Sequence, residues 1–325
     1  MEQRILGGLT CSAMGFGCMG LSQAYGPADE DASVAAIRTA LDAGVTLLDT
    51  AMSYGGGHNE RLVGRAIAGR RDEVVVATKF GIVRGDRGVS LDAHPDRVAG
   101  YCDASLKRLG VDVIDLYYLH RVDPEVPLAD TIGAMAALVE AGKVRHLGLS
   151  EVSPAQIDAA RAVHPIAAVE FEWSLSWREP EDDVVPAARA AGAGLVPYSP
   201  LGRGLLTGKL PAGPFAPGDF RAADGRFAPD ALDRNLTLVA ELTRIAGRLG
   251  VTTGQLALAW LLARGPDVVP IPGTRNHARV TENAAAAGIA LAEDDLTALA
   301  AAAPREAWTG DRRSFAAHGT TRTTG

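Results

Sequence analysis

The chain has 325 residues, 47% of them apolar and 22% charged, with a formal net charge of −7. That balance suits a folded chain with a large core and excludes a disordered one. An acidic total with scattered basic residues also excludes the electrostatic footprint of a nucleic-acid or anionic-membrane binder. Residues 1–9 lack the apolar region of a signal peptide, and no run approaches the roughly 20 apolar residues of a membrane span, so a cytoplasmic protein is expected. Cys11, Cys18 and Cys102 have neither zinc-site spacing nor the density of a disulfide scaffold and read as free buried thiols, with no metal site.

In chain order, short β-branched or aliphatic runs alternate with stretches of helical period, the pattern of a parallel sheet with crossover helices. A weak strand at 14–18 is followed by a helix over 31–43, whose Val34, Ile37 and Leu41 share a face ahead of Gly44, and by a strand at 45–49. A helix over 60–68 leads to a strand at 74–79. A helix over 95–109, with Val98, Cys102, Leu106 and Leu109 on one side and Gly110 as its stop, leads to a strand at 113–120. Helix 128–141, strand 144–150, helix 154–163, strand 166–170, helix 182–191 and strand 194–198 come next. Residues 202–232, rich in Gly, Pro, Arg and Phe without periodicity, read as a loop over the site, a candidate lid. Helices over 233–249 and 254–263 precede an eighth strand at 268–271. The expectation is an α/β protein, a single (β/α)8 TIM barrel over residues 1–310, with 311–325 as a flexible tail.

Six successive apolar runs each end in a polar residue: Asp49, Lys79, His120, Ser150, Glu170 and Tyr198. In a parallel barrel all C-terminal strand ends lie on one face, so these side chains, with Tyr54 on the loop after Asp49, would meet at a single mouth. Loop polarity alone would seldom select a lysine, a histidine and a tyrosine of such complementary chemistry.

These residues carry a family resemblance. Asp49-Thr50-Ala51 with Tyr54, Ala77-Thr78-Lys79, the run from Asp115 to His120, and the run from Tyr198 to Gly204 closely resemble the aldo-keto reductases, in the family's order and from about residue 4 to 310, most like its bacterial branches. The resemblance implies NADPH-dependent reduction of an aldehyde or ketone, with Asp49, Tyr54, Lys79 and His120 as the catalytic set. An oxygen that gains negative charge needs a proton donor, which Tyr54 can be. An ordinary phenol, with a pKa of about 10, holds its proton unless a cation favours phenolate, and Lys79 would supply that charge. A buried lysine in turn needs a carboxylate, Asp49, and His120 would orient the carbonyl oxygen or relay the proton.

For the cofactor, the resemblance implies a nicotinamide stacked on Tyr198 with its carboxamide near Ser150, Glu151 and Glu170, and a pyrophosphate approached by the backbone at Ser199, Leu201 and Gly204. Gly273, Thr274, Arg275, Arg279, Glu282 and Asn283 match the adenosine region, where two guanidiniums suit a 2′-phosphate and favour NADPH over NADH. Glu151 and Glu170 stand where the family usually has Asn and Gln, so one of them is expected to be protonated, turned away or paired with an arginine. Gly273 replaces a lysine usual in many relatives. The Gly15-to-Gly20 match to a dinucleotide-binding turn lacks the helix and the acidic residue that turn requires, and Thr207-Gly208-Lys209-Leu210 lacks the hydroxyl residue of a phosphate loop. Substrate loops are expected around Tyr25, Phe80, Arg121 and residues 211–232. The alternatives are a dedicated biosynthetic or salvage reductase of a keto-sugar or pyridoxal, an NADPH-sensing regulatory subunit, and a barrel isomerase or lyase, which would leave Arg275 and Arg279 unexplained.

Overall fold

A computed structural model describes residues 1–85, 88–210, 215–216 and 218–312. The chain opens with a hairpin of β1 (Gln3–Leu6) and β2 (Leu9–Ser12), turned by Gly7 and Gly8 at φ of 52° and 103°. Seven strands then form one parallel sheet in the spatial order β3 (Phe16–Gly17), β4 (Leu47–Asp49), β5 (Val75–Phe80), β8 (Ile114–Leu119), β9 (Val144–Ser150), β10 (Ile166–Glu172) and β11 (Gly194–Tyr198). β6 (Ile82–Gly85) and β7 (Gly88–Leu91) make a separate hairpin after β5.

Residues 267–272 close the sheet into a (β/α)8 barrel. On one side Leu195 donates to Asp267 O at 2.8 Å, Val269 to Leu195 O at 2.8 Å and Ile271 to Pro197 O at 3.0 Å; on the other, Gly15 donates to Pro270 O at 2.9 Å and Gly17 to Pro272 O at 3.3 Å. Pro270 and Pro272 have no N–H, so this strand only accepts at those positions and its ladder is irregular. Glycine permits the close approach at the seam, since a Cβ on Gly273 would lie 2.2 Å from Gly17 O. The departure from lysine at Gly273 therefore has a steric reason.

Helices cover the outside: α1 (Glu30–Asp42), α2 (His58–Ile67), α3 (Pro95–Leu109), α4 (Leu128–Glu140), α5 (Pro154–Arg161), α6 (Val184–Ala190), α7 (Pro229–Arg248), α8 (Thr253–Leu262), α9 (His277–Ala285) and α10 (Glu293–Ala302). Their apolar faces pack on the strands' outer side, as with Val34, Ile37 and Leu41 of α1, which Asp29 caps by accepting from Ala32 N at 2.7 Å. Inside the barrel, Leu47, Ala77, Leu116, Tyr118, Ala168, Val196, Val269 and Ile271 form a second core with Leu6, Leu9 and Cys11 of the hairpin, which plugs the end opposite the site. The three cysteines are buried and unpaired. Among the described residues no single helix is long and apolar enough to cross a membrane.

Some boundaries differ from expectation. β10 runs two residues past Glu170, so that Glu170 sits within the strand beside Ser150 of β9. Proline at the first turn starts α7 at Pro229, which shortens the loop expected over 202–232; residues 211–214 and 217 of that loop lie outside the described residues. Asp311 and Arg312, expected to begin a flexible tail, pack onto the barrel, and 313–325 lie outside the described residues.

Candidate active site

β4 and β5 are neighbours with Asp49 opposite Ala77, and the register brings Asp49 and Lys79 together at the barrel mouth. The fully buried Lys79 Nζ pairs with Asp49 and donates to Thr50 O at 3.0 Å. It lies 5.4 Å from the ring centre of Tyr54 and 5.6 Å from that of Tyr118, which forms the floor. Gly148 makes room for Tyr118: a Cβ there would stand 2.5 Å from its ring. Tyr54 arrives on the loop after β4, bent by Gly55, Gly56 and Gly57 at φ of 58°, 61° and 85°. α2 pins that loop, because Asn59 accepts from Thr50 Oγ1 at 2.6 Å and donates to Cys18 O at 2.9 Å, while Glu60 accepts from Thr78 Oγ1 at 2.7 Å. His120, just past β8, meets the Tyr54 ring edge-on with centres 5.8 Å apart. The four residues expected to act together are thus adjacent.

Their charge states follow from burial. Burial alone would drive the Lys79 ammonium down, but the charges of Asp49 and Glu170 outweigh it and hold it above the ordinary lysine value. Burial raises the Tyr54 phenol, and the pull of Lys79 only partly offsets this, so Tyr54 is a neutral O–H group here, not a phenolate. Burial, with the charges of Arg121, Lys79 and Arg84, lowers His120 well below its ordinary value and keeps the imidazole neutral; its Nδ1 is buried without a partner.

The two glutamates resolve differently. Glu170 Oε2 stands 3.3 Å from Lys79 Nζ, and burial together with the Asp49 charge pushes its carboxyl up to about 8. Burial raises the Asp49 carboxyl as well, against the pull of Lys79, so the two carboxyls beside Lys79 titrate together. Glu151, at φ +54°, turns from the mouth: its Oε1 accepts from Tyr198 OH at 2.7 Å and from Glu172 N at 3.2 Å, and its Oε2 pairs with Arg312 at 2.7 Å. The arginine charges outweigh its burial and hold Glu151 below the usual carboxylate range. Ser150 Oγ accepts from Arg121 at 3.1 Å.

Tyr198 ends β11 and is followed by Ser199, Gly202, Arg203 and Gly204, all at positive φ, a run that folds the backbone into a curl at the mouth. Within it Gly202 donates to Ser199 O at 2.8 Å and Gly204 to Leu201 O at 3.0 Å, so the Gly204 N–H is already engaged. Thr274 accepts from Asn276 N at 3.2 Å, Glu282 accepts from Thr252 Oγ1 at 2.7 Å, and Asn283 is buried in α9. Arg275 is committed elsewhere: it donates to the carbonyls of Gly20, Tyr25, Pro27 and Gly26 at 2.7, 3.2, 2.7 and 2.8 Å, clamping the loop that carries Tyr25. Arg279 is exposed on the first turn of α9.

Phe80 does not face the mouth. It is fully buried and stacks on Tyr117 at 5.0 Å and Tyr101 at 6.3 Å, in the layer between strand and helix, because side chains on a strand alternate sides and Lys79 takes the inner one. Sequence reasoning missed a buried charged group beneath the mouth: Glu172, Arg226, Asp224, Arg203 and Arg312. Only part of it had a local signal, the doublet Asp219-x-Arg221 and Asp224-x-Arg226, in which each Asp accepts from its Arg's backbone N–H and guanidinium. Among the described residues no group of three His, Cys, Asp or Glu is placed to hold a metal.

A barrel with this polar cluster at its mouth defines a class, and comparison with known sequences agrees. The profile of the Aldo/keto reductase family matches residues 13–304, and the chain belongs to that family, whose members are oxidoreductases acting on small carbonyl compounds. It is 44% identical over 300 residues to a probable aldo-keto reductase 1 of Glycine max, covering 91% of this chain and 87% of the relative. Its structure is similar to that of the glycerol dehydrogenase AKR11B4 from Gluconobacter oxydans, with a TM-score of 0.87 and 30% identity over 99% of this chain and 97% of the other. It is also similar to an aldo/keto reductase from Klebsiella pneumoniae in complex with NADP and acetate, with a TM-score of 0.75 and 28% identity over 94% and 96%.

Proposed function

We propose that this protein reduces an aldehyde or ketone to the alcohol with NADPH, and that Tyr54 gives the proton to the substrate oxygen. The observation that carries the reading is the neutral Tyr54 phenol set between the Lys79 charge and the edge of a neutral His120. The Lys79 charge stabilises the phenolate left when the Tyr54 proton moves to the substrate, and so eases that transfer. Asp49 keeps Lys79 charged inside the barrel, and the neutral His120 donates a hydrogen bond that holds the carbonyl oxygen near Tyr54. A proton held between the Asp49 and Glu170 carboxyls limits the negative charge around Lys79.

The residues present fit a nicotinamide cofactor. Tyr198 offers a flat face at a strand end, Ser150 and Glu170 offer polar groups beside it, the curl over 199–204 offers backbone near the mouth, and Arg279 offers an exposed guanidinium to a phosphate. When bound, NADPH supplies the hydride. The Klebsiella relative with NADP supports this choice of cofactor. Since Arg275 is spent on carbonyl groups, discrimination in favour of the 2′-phosphate falls to Arg279.

The test is NADPH oxidation by wild type and Tyr54→Phe over aldehydes, diketones, keto-sugars and pyridoxal. Loss of the general acid lowers kcat by about a hundredfold or more, while NADPH still quenches the protein's fluorescence. Wild-type-like turnover by the variant would remove Tyr54 as the donor.

A further inference from the structure

Tyr198 is the platform on which the proposed nicotinamide rests, and its hydroxyl is part of a closed hydrogen-bonded ring. Arg312 donates to Tyr198 OH at 2.9 Å, Tyr198 OH donates to Glu151 Oε1 at 2.7 Å, and Glu151 Oε2 accepts from Arg312 at 2.7 Å. The Arg312 guanidinium also lies 5.4 Å from the ring centre of Trp177 and 3.5 Å, through Nε, from Glu172 Oε2. Its side chain is only 11% exposed.

The segment that carries Arg312 is fastened down. Thr309 N donates to Asn235 Oδ1 at 3.0 Å, and Asn235 Nδ2 returns a bond to Thr309 O at 2.9 Å. Gly310, at φ +87°, passes so near residues 225–226 that a Cβ would lie 2.4 Å from Gly225 O. The arm therefore delivers Arg312 to one place.

Charge makes that place specific. Glu151, Glu172 and Asp224 are buried under the mouth, and Arg312, Arg226 and Arg203 compensate them: Arg226 pairs with Glu172 at 2.5 Å and with Asp224 at 2.6 Å, and Arg203 Nε lies 3.4 Å from Asp224. Removing Arg312 leaves Glu151 as a buried carboxylate without its cation, against the hydroxyl of the platform. An amide at position 151 would need no such cation.

We infer that Arg312 is a positioning residue of the cofactor site: from the C-terminal arm it compensates Glu151 and fixes the Tyr198 ring against which the nicotinamide packs. The inference rests on the cofactor reading of Tyr198. It makes Arg312 part of the site from outside the set of Asp49, Tyr54, Lys79 and His120.

The experiment uses the full chain and four variants, Arg312→Ala, Arg312→Lys, Glu151→Gln and the double variant Arg312→Ala with Glu151→Gln. NADPH affinity is read from fluorescence quenching, kcat and KM for NADPH from turnover, and Tm from thermal unfolding. Arg312→Ala is expected to weaken NADPH binding by about tenfold and to raise KM more than it lowers kcat. Arg312→Lys recovers part of the loss. Glu151→Gln in the Arg312→Ala background restores affinity to within about threefold of wild type, because it removes the charge that Arg312 compensates. A purely structural role predicts that Tm falls and is rescued while NADPH affinity, read well below Tm, stays that of wild type. Arg312→Ala binding NADPH as tightly as wild type, or a folded double variant no better than the single one, overturns the inference; if Arg312→Ala does not fold, Arg312→Lys and the double variant decide it. Wild type that fails to bind NADPH overturns the cofactor reading itself, whereas wild type that binds alongside an unaffected Arg312→Ala overturns this inference alone.

Discussion

At the scale of single residues, Glu170 is a carboxyl strongly changed by its surroundings. Burial and the Asp49 charge push it up to about 8, and Lys79 only partly opposes them. An unfolded glutamate titrates near 4.3, so below that pH both states hold the proton and Glu170 contributes no difference in stability. Between there and about 8 the folded chain keeps a proton that the unfolded chain has lost, and stability falls as pH rises. Glu172 has the opposite sign. Arg226 and Arg312 outweigh its burial and hold it down to about 2, so its stabilisation is present above the unfolded pKa and is lost as pH falls toward 2. Glu170→Gln cannot titrate. Its unfolding free energy relative to wild type should therefore grow from pH 5 to pH 9 by at least about 1 kcal/mol in chemical denaturation. Parallel curves for the two proteins would show that Glu170 is already ionised in the fold.

At the scale of elements, the loop over 20–27 and the segment at 220–221 form one unit. Arg275 holds four carbonyls of the loop, Phe220 N donates to Ala24 O at 3.0 Å, and the Arg221 guanidinium stacks 5.3 Å from the Tyr25 ring centre. Arg275→Ala is expected to speed hydrogen exchange of the amides over 20–27 while leaving the ratio of NADPH to NADH affinity within about twofold of wild type, and Arg279→Ala to lower that ratio by about tenfold or more. The reverse result would mean that a bound phosphate draws Arg275 off the loop. This clamp was not legible in the sequence, where an arginine after Gly273-Thr274 resembles a phosphate ligand and nothing marks its carbonyl partners some 250 positions earlier. The parallel strands from β4 to β11 were legible because each is an aliphatic run long enough to be buried on both faces and closed by a polar residue. The hairpins β1–β2 and β6–β7 were not, since strands of four residues with partly exposed faces give too short an alternation. The four clustered residues were legible because Asp49, Lys79 and His120 fall at or beside strand ends and Tyr54 on the loop after Asp49, and the barrel gathers these ends at one mouth. Arg312 was not, because its meaning lies in a contact with Tyr198 across 114 positions.

At the scale of the whole molecule, the barrel separates its two ends. The mouth gathers Asp49, Lys79, Glu170 and the Glu151–Arg312 group, and the other end is sealed by apolar contact with the N-terminal hairpin. Leu6 is fully buried there, and a Cβ placed on Gly194 at the start of β11 would meet Leu6 atoms within 2.2 Å, so hairpin and strand are packed without slack. Glycine at 194 and at the hairpin turn, where a Cβ on Gly7 would lie 2.5 Å from the Ala167 backbone, is what allows this seal. Leu6→Ala leaves a cavity among Ala168, Val196 and Val269 that rigid strands cannot collapse to fill, and should cost about 2–5 kcal/mol of stability. No member of the tetrad depends on Leu6, so well below its lowered Tm the variant should keep kcat within about twofold of wild type. Tyr54→Phe should do the reverse, removing turnover while changing Tm by no more than a few degrees. Leu6→Ala that stays folded yet loses turnover would show that strain at the closed end reaches the mouth along the strands; separate losses would show that this barrel keeps stability and chemistry at opposite ends of the same eight strands.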